Sequence, residues 1–302
     1  MWFWLSLVAL LCWSGSDLFS KIGCREKDDK LSHLKMVTAV GVVMGLHCAY
    51  EVFIGGVEFN LHVLVTYLPV SALYILSMAI GYLGLRYIEL SISSPICNSS
   101  GALVAILTLI TAGRGEVNTY QLIAVALVCV GVVALGIVEA TEDDELRLER
   151  QKKGNHIYTK SFLALAIPVV YCLLDALGTF ADSLVLETLD EGSANAAYEF
   201  TFFVVGMLCL IYVLFIKKDR LTVKREAPKY IGAVFETAGQ FAYIFALADS
   251  DHVMLSAPII SAYCVASVIW SRIFLKEKLS WKHYAAIAVV AVGIIIIGIY
   301  DG

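Results

Sequence analysis

Four ionisable residues interrupt long apolar stretches of the sequence. Asp17, Asp175 and Glu236 are acidic, and His47 is the only potential base near the middle of such a stretch. Inside a bilayer an ionisable side chain costs ~2.5–3.5 kcal/mol on insertion scales, so it normally faces a cavity, pairs with a partner or takes part in transport. These residues are therefore the first candidates for chemistry.

The two aspartates have different neighbours one helical turn away. Lys21 lies four residues after Asp17, where it could neutralise the carboxylate within the same helix. Asp175 has Thr179 at that spacing and no basic residue within a turn, so it needs water, a partner helix or a bound cation. We predict that both aspartates bind substrate, with neutralisation by Lys21 as the alternative for Asp17.

Glu236 is followed at the same spacing by Gln240, and it is interpreted either as a substrate-binding acid or as a hydrogen-bonded carboxylic acid. Because carboxyl groups inside a bundle can exchange protons, Asp175 and Glu236 are also predicted to couple transport to protons. Three further acids lie nearer to the predicted helix ends and are predicted to reach the membrane interface: Glu51, Asp182 and Glu199.

Aromatic residues recur near the depth of these acids. An aromatic face beside an ammonium group contributes ~0.5–2 kcal/mol, so a cationic substrate would be bound by rings and carboxylates together. An anionic substrate would be expected to meet a Lys or Arg, and none is placed at this depth. The alternative is that the rings fill interfaces and the bundle core. The predicted substrate-binding aromatics are Trp13, Tyr74, Tyr171, Tyr198, Tyr243 and Tyr263.

A polar patch follows Pro95 in the fourth apolar run, where Asn98, Ser99 and Ser100 are consecutive. Proline frees a backbone carbonyl, and polar side chains beside it can line a cavity, so Asn98 is a further predicted substrate ligand. Ordinary interhelical hydrogen bonds of ~0.6 kcal/mol are the alternative. Pro258 precedes a similar patch in the ninth run.

The composition is that of an integral membrane protein. Hydrophobic residues make up 59% of the 302 residues, charged residues make up 16%, and the mean hydropathy is +0.79. Apolar runs of about 20 residues, the length that spans ~30 Å of hydrocarbon as a helix, predict an all-α fold with ten transmembrane helices. The predicted spans are 2–20, 34–54, 63–85, 91–112, 120–139, 161–181, 197–216, 228–248, 252–271 and 281–300.

A charged linker at 141–160 divides the chain into five-helix units at 1–140 and 161–302. Residues of similar type recur in the two units at nearly constant spacing, which predicts a duplication. Because five is odd, the second unit must be inverted in the membrane, and the substrate is expected between the units. The matched pairs are Trp13/Tyr171, Asp17/Asp175, Tyr82/Tyr243, Pro95/Pro258, Glu116/Glu277, Gly131/Gly293 and Gly136/Gly298.

Basic residues predict the orientation. Numbered from the N-terminus, the odd loops hold 21 of the 22 Lys and Arg residues, whereas the even loops and both termini hold only Arg114. Cytoplasmic loops retain positive charge, so the odd loops and the linker are predicted to be cytoplasmic and both chain ends outside.

Three stretches carry a resemblance to a known family: LLCWSGSDLFSK from Leu10, YLGLRYIELSISSP from Tyr82, and the segment around Glu277 that continues as KLSWKHYAAIAVVAVGIIIIG. Together with two inverted units of five helices, they resemble the ten-helix EamA-like branch of the drug/metabolite transporter superfamily. The resemblance implies alternating access around a central cavity without ATP hydrolysis, and we expect a bacterial plasma membrane. It implies no substrate. The usual orientation of that family has both ends cytoplasmic, and the basic residues here predict the reverse.

Other classes lack support in the sequence. Seven of the eight cysteines lie in apolar runs without a CxxC pair, which favours buried apolar roles. No Walker loop, metal motif or nucleophile elbow occurs, so we predict neither an enzyme nor a bound cofactor or metal, and no nucleic-acid partner. Gly41-x-x-x-Gly45 is predicted to pack helices within the bundle, with a homodimer as the alternative.

The leading hypothesis is a secondary active transporter that moves a small organic cation or amine-bearing metabolite, coupled to protons, by alternating access. A carrier of amino acids or other neutral or zwitterionic metabolites is the first alternative, since the acids would hold an ammonium group and helix-terminal amides a carboxylate. A lipid-linked sugar flippase is the second alternative.

Overall fold

A computed structural model describes residues 1–25, 28–87, 90–111, 117–141, 162–275 and 279–300. Within these ranges the regular structure is helical. The helices are α1 (Trp2–Cys24), α2 (Ser32–Tyr50), α3 (Leu61–Tyr87), α4 (Leu90–Cys97), α5 (Ser100–Thr111), α6 (Thr119–Ala140), α7 (Phe162–Val185), α8 (Glu191–Ile211), α9 (Val223–Leu247), α10 (Val253–Ser261), α11 (Tyr263–Trp270) and α12 (Trp281–Ile299). Short π-helical turns extend α2, α8 and α11 to Gly55, Ile216 and Leu275.

Eight segments of the described chain are long and apolar enough to cross a membrane, which supports an all-α integral membrane protein. Two more helices correspond to predicted spans. The 25-residue α9 carries Lys224, Arg225, Glu226 and Lys229 near its start, and the apolar part of α12, Trp281–Ile297, is shorter than the others. The count of ten spans stays a prediction.

The predicted fourth and ninth spans are each broken into two helices, α4–α5 and α10–α11. In the first break, Asn98 Nδ2 donates to the carbonyl oxygen of Ser94 at 2.7 Å, and Ser99 Oγ donates to that of Pro95 at 3.0 Å. Side chains that bond carbonyls one turn back compete with the helical pattern and bend the helix. In the second break, the amide of Ala262 donates to the carbonyl oxygens of Pro258 and Ile259.

Two helices are longer than predicted, and this changes the interpretation of two acids. Asp190 caps α8 by accepting a hydrogen bond from the Ser193 amide at 2.9 Å, so the helix begins six residues earlier than predicted and Glu199 lies in its interior. Likewise α7 continues to Val185, which places Asp182 inside the bundle. Both side chains are fully buried, so their predicted interfacial positions were wrong.

The described loops are sorted to two ends of the bundle. Arg86 donates to the carbonyl oxygen of Lys30, which joins the last turn of α3 to the loop after α1. At the opposite end, Trp2 stacks on His252 with ring centroids 4.9 Å apart, and Tyr120 stacks on Tyr300 at the same separation. We call these the odd-loop end and the even-loop end. The first and last described helices, α1 and α12, begin and end at the even-loop end, respectively.

The most extensive helix contacts join the first half of the chain to the second. They pair α1 with α9, α2 with α8 and α9, α3 with α7 and α8, α5 with α10, and α6 with α12. Glycines allow the closest approaches. A Cβ atom built at Gly41 would lie 2.7 Å from the carbonyl oxygen of Phe202 and 2.9 Å from the Cα atom of Gly206, so this glycine packs within the chain.

The α6–α12 contact is reciprocal. A Cβ atom at Gly131 would lie 2.5 Å from Val290 Cγ2, and one at Gly293 would lie 2.7 Å from Val128 Cγ2 and 2.8 Å from the carbonyl oxygen of Ala124. The backbones of α6 and α12 therefore approach each other at both glycines, and neither position has room for a side chain.

We predict that Gly293→Ala lowers the melting temperature of the detergent-solubilised protein. Alanine gains up to ~1 kcal/mol of helix propensity, but overpacking against backbone costs ~1–3 kcal/mol. Gly136→Ala is the matched control, because the nearest atom to its new Cβ lies at 3.6 Å, an ordinary contact distance. Equal melting temperatures for the two variants would contradict the close approach of α6 and α12.

Candidate functional site

A cavity of about 80 Å³ lies among nine of these helices near the middle of the bundle. It is lined by all ten residues that the sequence analysis selected for substrate binding, namely Trp13, Asp17, Tyr74, Asn98, Tyr171, Asp175, Tyr198, Glu236, Tyr243 and Tyr263. The structure therefore brings these residues together. That they bind a substrate stays a prediction.

Helical spacing explains why several residues of one helix reach the same cavity. On α1, Trp13, Ser16, Asp17 and Ser20 occupy positions i, i+3, i+4 and i+7, which share one face of a helix. On α9, Glu236, Gln240 and Tyr243 have the spacing i, i+4 and i+7, and on α7 the lining residues follow the same rule. Each helix thus contributes one polar stripe to an otherwise apolar bundle.

The two aspartates of the cavity accept hydrogen bonds from serines of the broken helices. Asp17 Oδ2 accepts from Ser94 Oγ at 2.5 Å and from Ser267 Oγ at 2.8 Å. Asp175 Oδ2 accepts from Ser100 Oγ at 2.7 Å. Because every one of these donors is neutral, the hydrogen bonds hold the carboxyl groups in place without neutralising a negative charge.

The third acid, Glu236, has the same kind of partner. Its Oε2 atom accepts a hydrogen bond from Ser16 Oγ at 2.7 Å. Among the described residues that line the cavity there is no Lys, Arg or His. Lys21 follows the lining residue Ser20 on α1, and its Nζ atom donates to the carbonyl oxygen of Leu85 at 2.7 Å. Neutralisation of Asp17 by Lys21 stays the alternative to substrate binding by Asp17.

Aromatic rings form one wall of the cavity. Trp13 lies 5.0 Å from Tyr243 and 5.8 Å from Tyr263 between ring centroids. Tyr74 packs edge-on against Tyr243 at 6.2 Å and against Tyr198 at 5.9 Å. Five rings from five helices are therefore in contact, and they are five of the six aromatics that the sequence predicted for this site.

Glycines of neighbouring helices hold two of the lining aromatics. A Cβ atom at Gly239 would lie 2.5 Å from the Trp13 ring, and one at Gly81 would lie 2.9 Å from the Tyr171 ring. In both cases an aromatic residue from the first helix of one half packs on a glycine from the third helix of the other half. Each ring therefore packs against a helix that has no side chain at the point of contact.

Several polar groups of the lining residues form no hydrogen bond with the part of the chain that the structure describes. They include two donors, the indole Nε1 of Trp13 and the amide Nε2 of Gln240, and two hydroxyl groups, those of Ser20 and Tyr82. A buried polar group without a partner costs ~1–3 kcal/mol. These groups are available to a ligand or to water in the cavity.

His47 is not part of the cavity. Its Nδ1 atom lies 2.9 Å from Glu199 Oε1, between α2 and α8, and its Nε2 atom lies 3.8 Å from Glu51 Oε1. The buried Glu199 therefore has a histidine partner from another helix. The sequence analysis missed this pair because it placed Glu199 at a helix end.

Asp182 lies beside the cavity without lining it. Its Oδ1 atom accepts a hydrogen bond from the hydroxyl of Tyr67 on α3 at 2.7 Å, and its side chain is fully buried. A possible signal in the sequence was its spacing, seven residues after Asp175 on the same helical face.

A buried group of charges closes the odd-loop end of α2 and α9. The members of this ionic cluster are Asp29, Lys35, Asp219, Glu226 and Lys229. Asp29 bonds both lysines, with Oδ1 at 2.9 Å from Lys35 Nζ and Oδ2 at 3.2 Å from Lys229 Nζ. The side chains of both lysines are only 1% exposed. The sequence analysis had counted these lysines simply as basic residues of cytoplasmic loops.

One further ion pair joins the cluster to the loop after α8, because Lys35 Nζ lies 3.0 Å from Asp219 Oδ2. Glu226 of α9 completes the cluster, with Oε2 at 3.0 Å from Lys229 Nζ and Oε1 at 3.8 Å from Lys35 Nζ. The Lys35 ammonium holds the pKa of the Asp219 carboxyl below its usual value. This carboxylate therefore stabilises the fold at neutral pH, and that stability is lost as the pH falls through the lowered pKa.

The helical fold and its apolar exterior are those of an integral membrane protein. Residues 163–299 match the model of the EamA-like transporter family, part of the drug/metabolite transporter superfamily. This match confirms the resemblance predicted from the sequence, and it covers the second half of the chain.

A solved crystal structure is similar over nearly the whole chain. The two proteins align with a TM-score of 0.65 and 12% sequence identity, over 98% of this chain and 95% of the other. At this identity the similarity concerns the fold alone. No curated protein sequence matches the chain significantly.

We predict that Asp29→Asn destabilises the protein by about 3–5 kcal/mol, because it leaves two buried ammonium groups without their shared carboxylate. Thermal unfolding in detergent measures the effect. Asp28→Asn is the matched control, since Asp28 is the exposed neighbour. If both variants unfold at the wild-type temperature, the ionic cluster does not stabilise this end of the bundle.

Proposed function

We propose that this protein is a secondary transporter that binds a small organic cation or amine-bearing metabolite in the central cavity. The observation that supports this proposal most directly is the composition of the cavity lining. Asp17, Asp175 and Glu236 lie beside an aromatic wall, and no described lining residue is basic. An ammonium group would pair with a carboxylate and lie against the rings, whose contribution is ~0.5–2 kcal/mol each. The same lining would repel an anion.

Proton coupling follows from the same acids. Asp175 and Glu236 have only neutral hydrogen-bond donors, so each can hold a proton when the cavity is empty. Release of that proton restores the carboxylate that an ammonium group needs, so proton and substrate compete for one charge. This exchange is the simplest form of coupling for such a site.

Alternating access is part of the proposal because the cavity is small. Sites for drug-sized ligands occupy ~300–1,000 Å³, whereas this cavity has about 80 Å³. The protein must therefore rearrange to admit a substrate of several heavy atoms. The ionic cluster at the odd-loop end and the buried tyrosines towards the even-loop end are the contacts that such a rearrangement would break.

We also propose ten spans arranged as an inverted duplication. Two kinds of contact support it. The pairing of α1 with α9 is matched by that of α7 with α3, as a two-fold axis between the halves requires. The contact of Trp13 with Gly239 is matched by that of Tyr171 with Gly81, and both members are displaced by the same 158 positions.

One observation favours the alternative of a zwitterionic substrate such as an amino acid. Trp13 Nε1 and Gln240 Nε2 are donors without acceptors among the described residues, and both residues line the cavity. A substrate that carries an acceptor, such as a carboxylate close to its ammonium group, would satisfy these donors. A simple amine would leave them to water.

The proposal is tested by thermal stabilisation of the purified protein against amines, amino acids and nucleotide sugars. We expect an amine-bearing compound to stabilise it, by about 2.7 kcal/mol at 100 times its Kd. Asp175→Asn and Glu236→Gln should weaken this stabilisation and its dependence on pH, whereas the exposed control Asp251→Asn should not. If only nucleotide sugars stabilise the protein, or if both cavity variants bind amines as wild type does, the proposal is wrong.

The orientation is also a proposal, with the odd loops cytoplasmic and both chain ends outside. We expect an epitope tag before Met1 to bind antibody on intact cells, because few basic residues lie at the even-loop end. A tag within the linker at 142–160 should bind only after permeabilisation. The opposite labelling pattern would establish the reverse orientation.

A further inference from the structure

A polar stripe on α7 continues beyond the cavity towards the even-loop end. Asp175 and Thr179 line the cavity, and Asp182 follows at the next position of the same helical face. At 1.5 Å per residue, Asp182 lies about 10 Å further along the helix than Asp175. It does not line the cavity, and its side chain is fully buried.

The two carboxyl oxygens of Asp182 have different surroundings. Oδ1 accepts the hydrogen bond of Tyr67, whereas Oδ2 has no hydrogen-bond partner among the described residues. The ionisable groups that face this carboxyl are Tyr67 and Tyr74 of α3, Tyr198 of α8, Tyr243 of α9 and Asp175 of α7. None of them is basic, and no described residue forms an ion pair with Asp182.

A buried carboxylate with a bare oxygen and no counter-ion is costly, so the site requires a positive charge. A substrate ammonium group does not fit, because Asp182 is sealed from the cavity. A metal cation would need several more oxygen ligands than the carboxylate and one tyrosine hydroxyl provide. A proton needs no additional space and removes the charge directly.

We propose that Asp182 is a proton-binding site separate from the substrate cavity. The hydroxyls of Tyr74 and Tyr243 share a short hydrogen bond, and that of Tyr74 also donates to Thr179 Oγ1 at 3.0 Å. All three residues line the cavity, and the two tyrosines also lie close to Asp182. This tyrosine pair therefore forms the partition between the substrate and the proton.

The partition gives the proton site a role in transport, and that role rests on the proposed function. When water reaches Asp182 from the even-loop end, its proton leaves to water and the carboxylate remains. The hydroxyls of Tyr74 and Tyr243 can then turn to donate to Oδ2, which breaks the hydrogen bond that joins them. Loss of the proton thus loosens the contact that closes the cavity on this side. Protonation restores it.

The test needs no substrate, so it can fail independently of the proposed function. Infrared difference spectra of the purified full-length protein, recorded between low and high pH, detect the C=O stretch of a carboxylic acid that loses its proton. The cavity acids also exchange protons in the proposed function, so we expect several such bands in the wild type, one of which is lost in Asp182→Asn. Asp175→Asn should remove a different band, that of the cavity aspartate, and leave the Asp182 band in place. The exposed control Asp251→Asn should also leave the Asp182 band in place.

A second variant keeps the test valid if Asp182→Asn does not fold. Tyr67→Phe retains the Asp182 carboxyl group and removes the hydroxyl that donates to Oδ1. The frequency of the Asp182 band should therefore shift. The proposal is overturned if Asp182→Asn folds and its spectrum equals that of the wild type. It is also overturned if the band of Asp182 has the same frequency in Tyr67→Phe as in the wild type. It is also overturned if sodium chloride, compared with choline chloride at equal pH, abolishes the band, because the site would then hold sodium.

Discussion

A charge surrounded by apolar helices must find a partner, and this requirement arranges most of the polar residues of the bundle. In the ionic cluster at the odd-loop end, lysines and acids compensate one another directly. In the central cavity, three acids accept hydrogen bonds from serine hydroxyls, and no described lining residue is basic. The charges of the ionic cluster therefore hold helices together, whereas the acids of the cavity remain available to a ligand.

Close packing of the two halves makes this separation possible. The glycines opposite Trp13 and Tyr171 let the rings lie against a helix backbone, so the rings hold fixed positions beside the acids instead of filling the space between them. Rigid placement of this kind lowers the entropy that a ligand loses on binding. The breaks at Asn98–Ser99 and Ala262 have a related effect, because they bring serines of two helices to Asp17.

Helical periodicity explains how much could be predicted from the sequence. Counting along apolar runs places Trp13, Tyr74, Asp175 and Glu236 at similar depths, and the 3.6-residue repeat places their neighbours on the same face. The sequence contains no comparable signal for contacts between residues on different helices. Asp29 and Lys229 are 200 residues apart, and Glu199 was assigned to a helix end because small residues after the Asp190 cap concealed the start of α8. The breaks in the fourth and ninth spans also went unpredicted, since proline alone does not specify where a helix resumes.

Asp29 belongs to a loop, yet it bonds a lysine on each of two helices, one through each oxygen. If α2 and α9 separate, the carboxylate can follow only one of them, and the other ammonium group loses a partner at once. A partial separation of α2 and α9 therefore costs as much free energy as full opening, because the Asp29 carboxylate cannot bond both lysines once the helices move apart. This end of the bundle is expected to occupy discrete closed and open arrangements, with the short segment before α2 moving as a latch that stays with one helix.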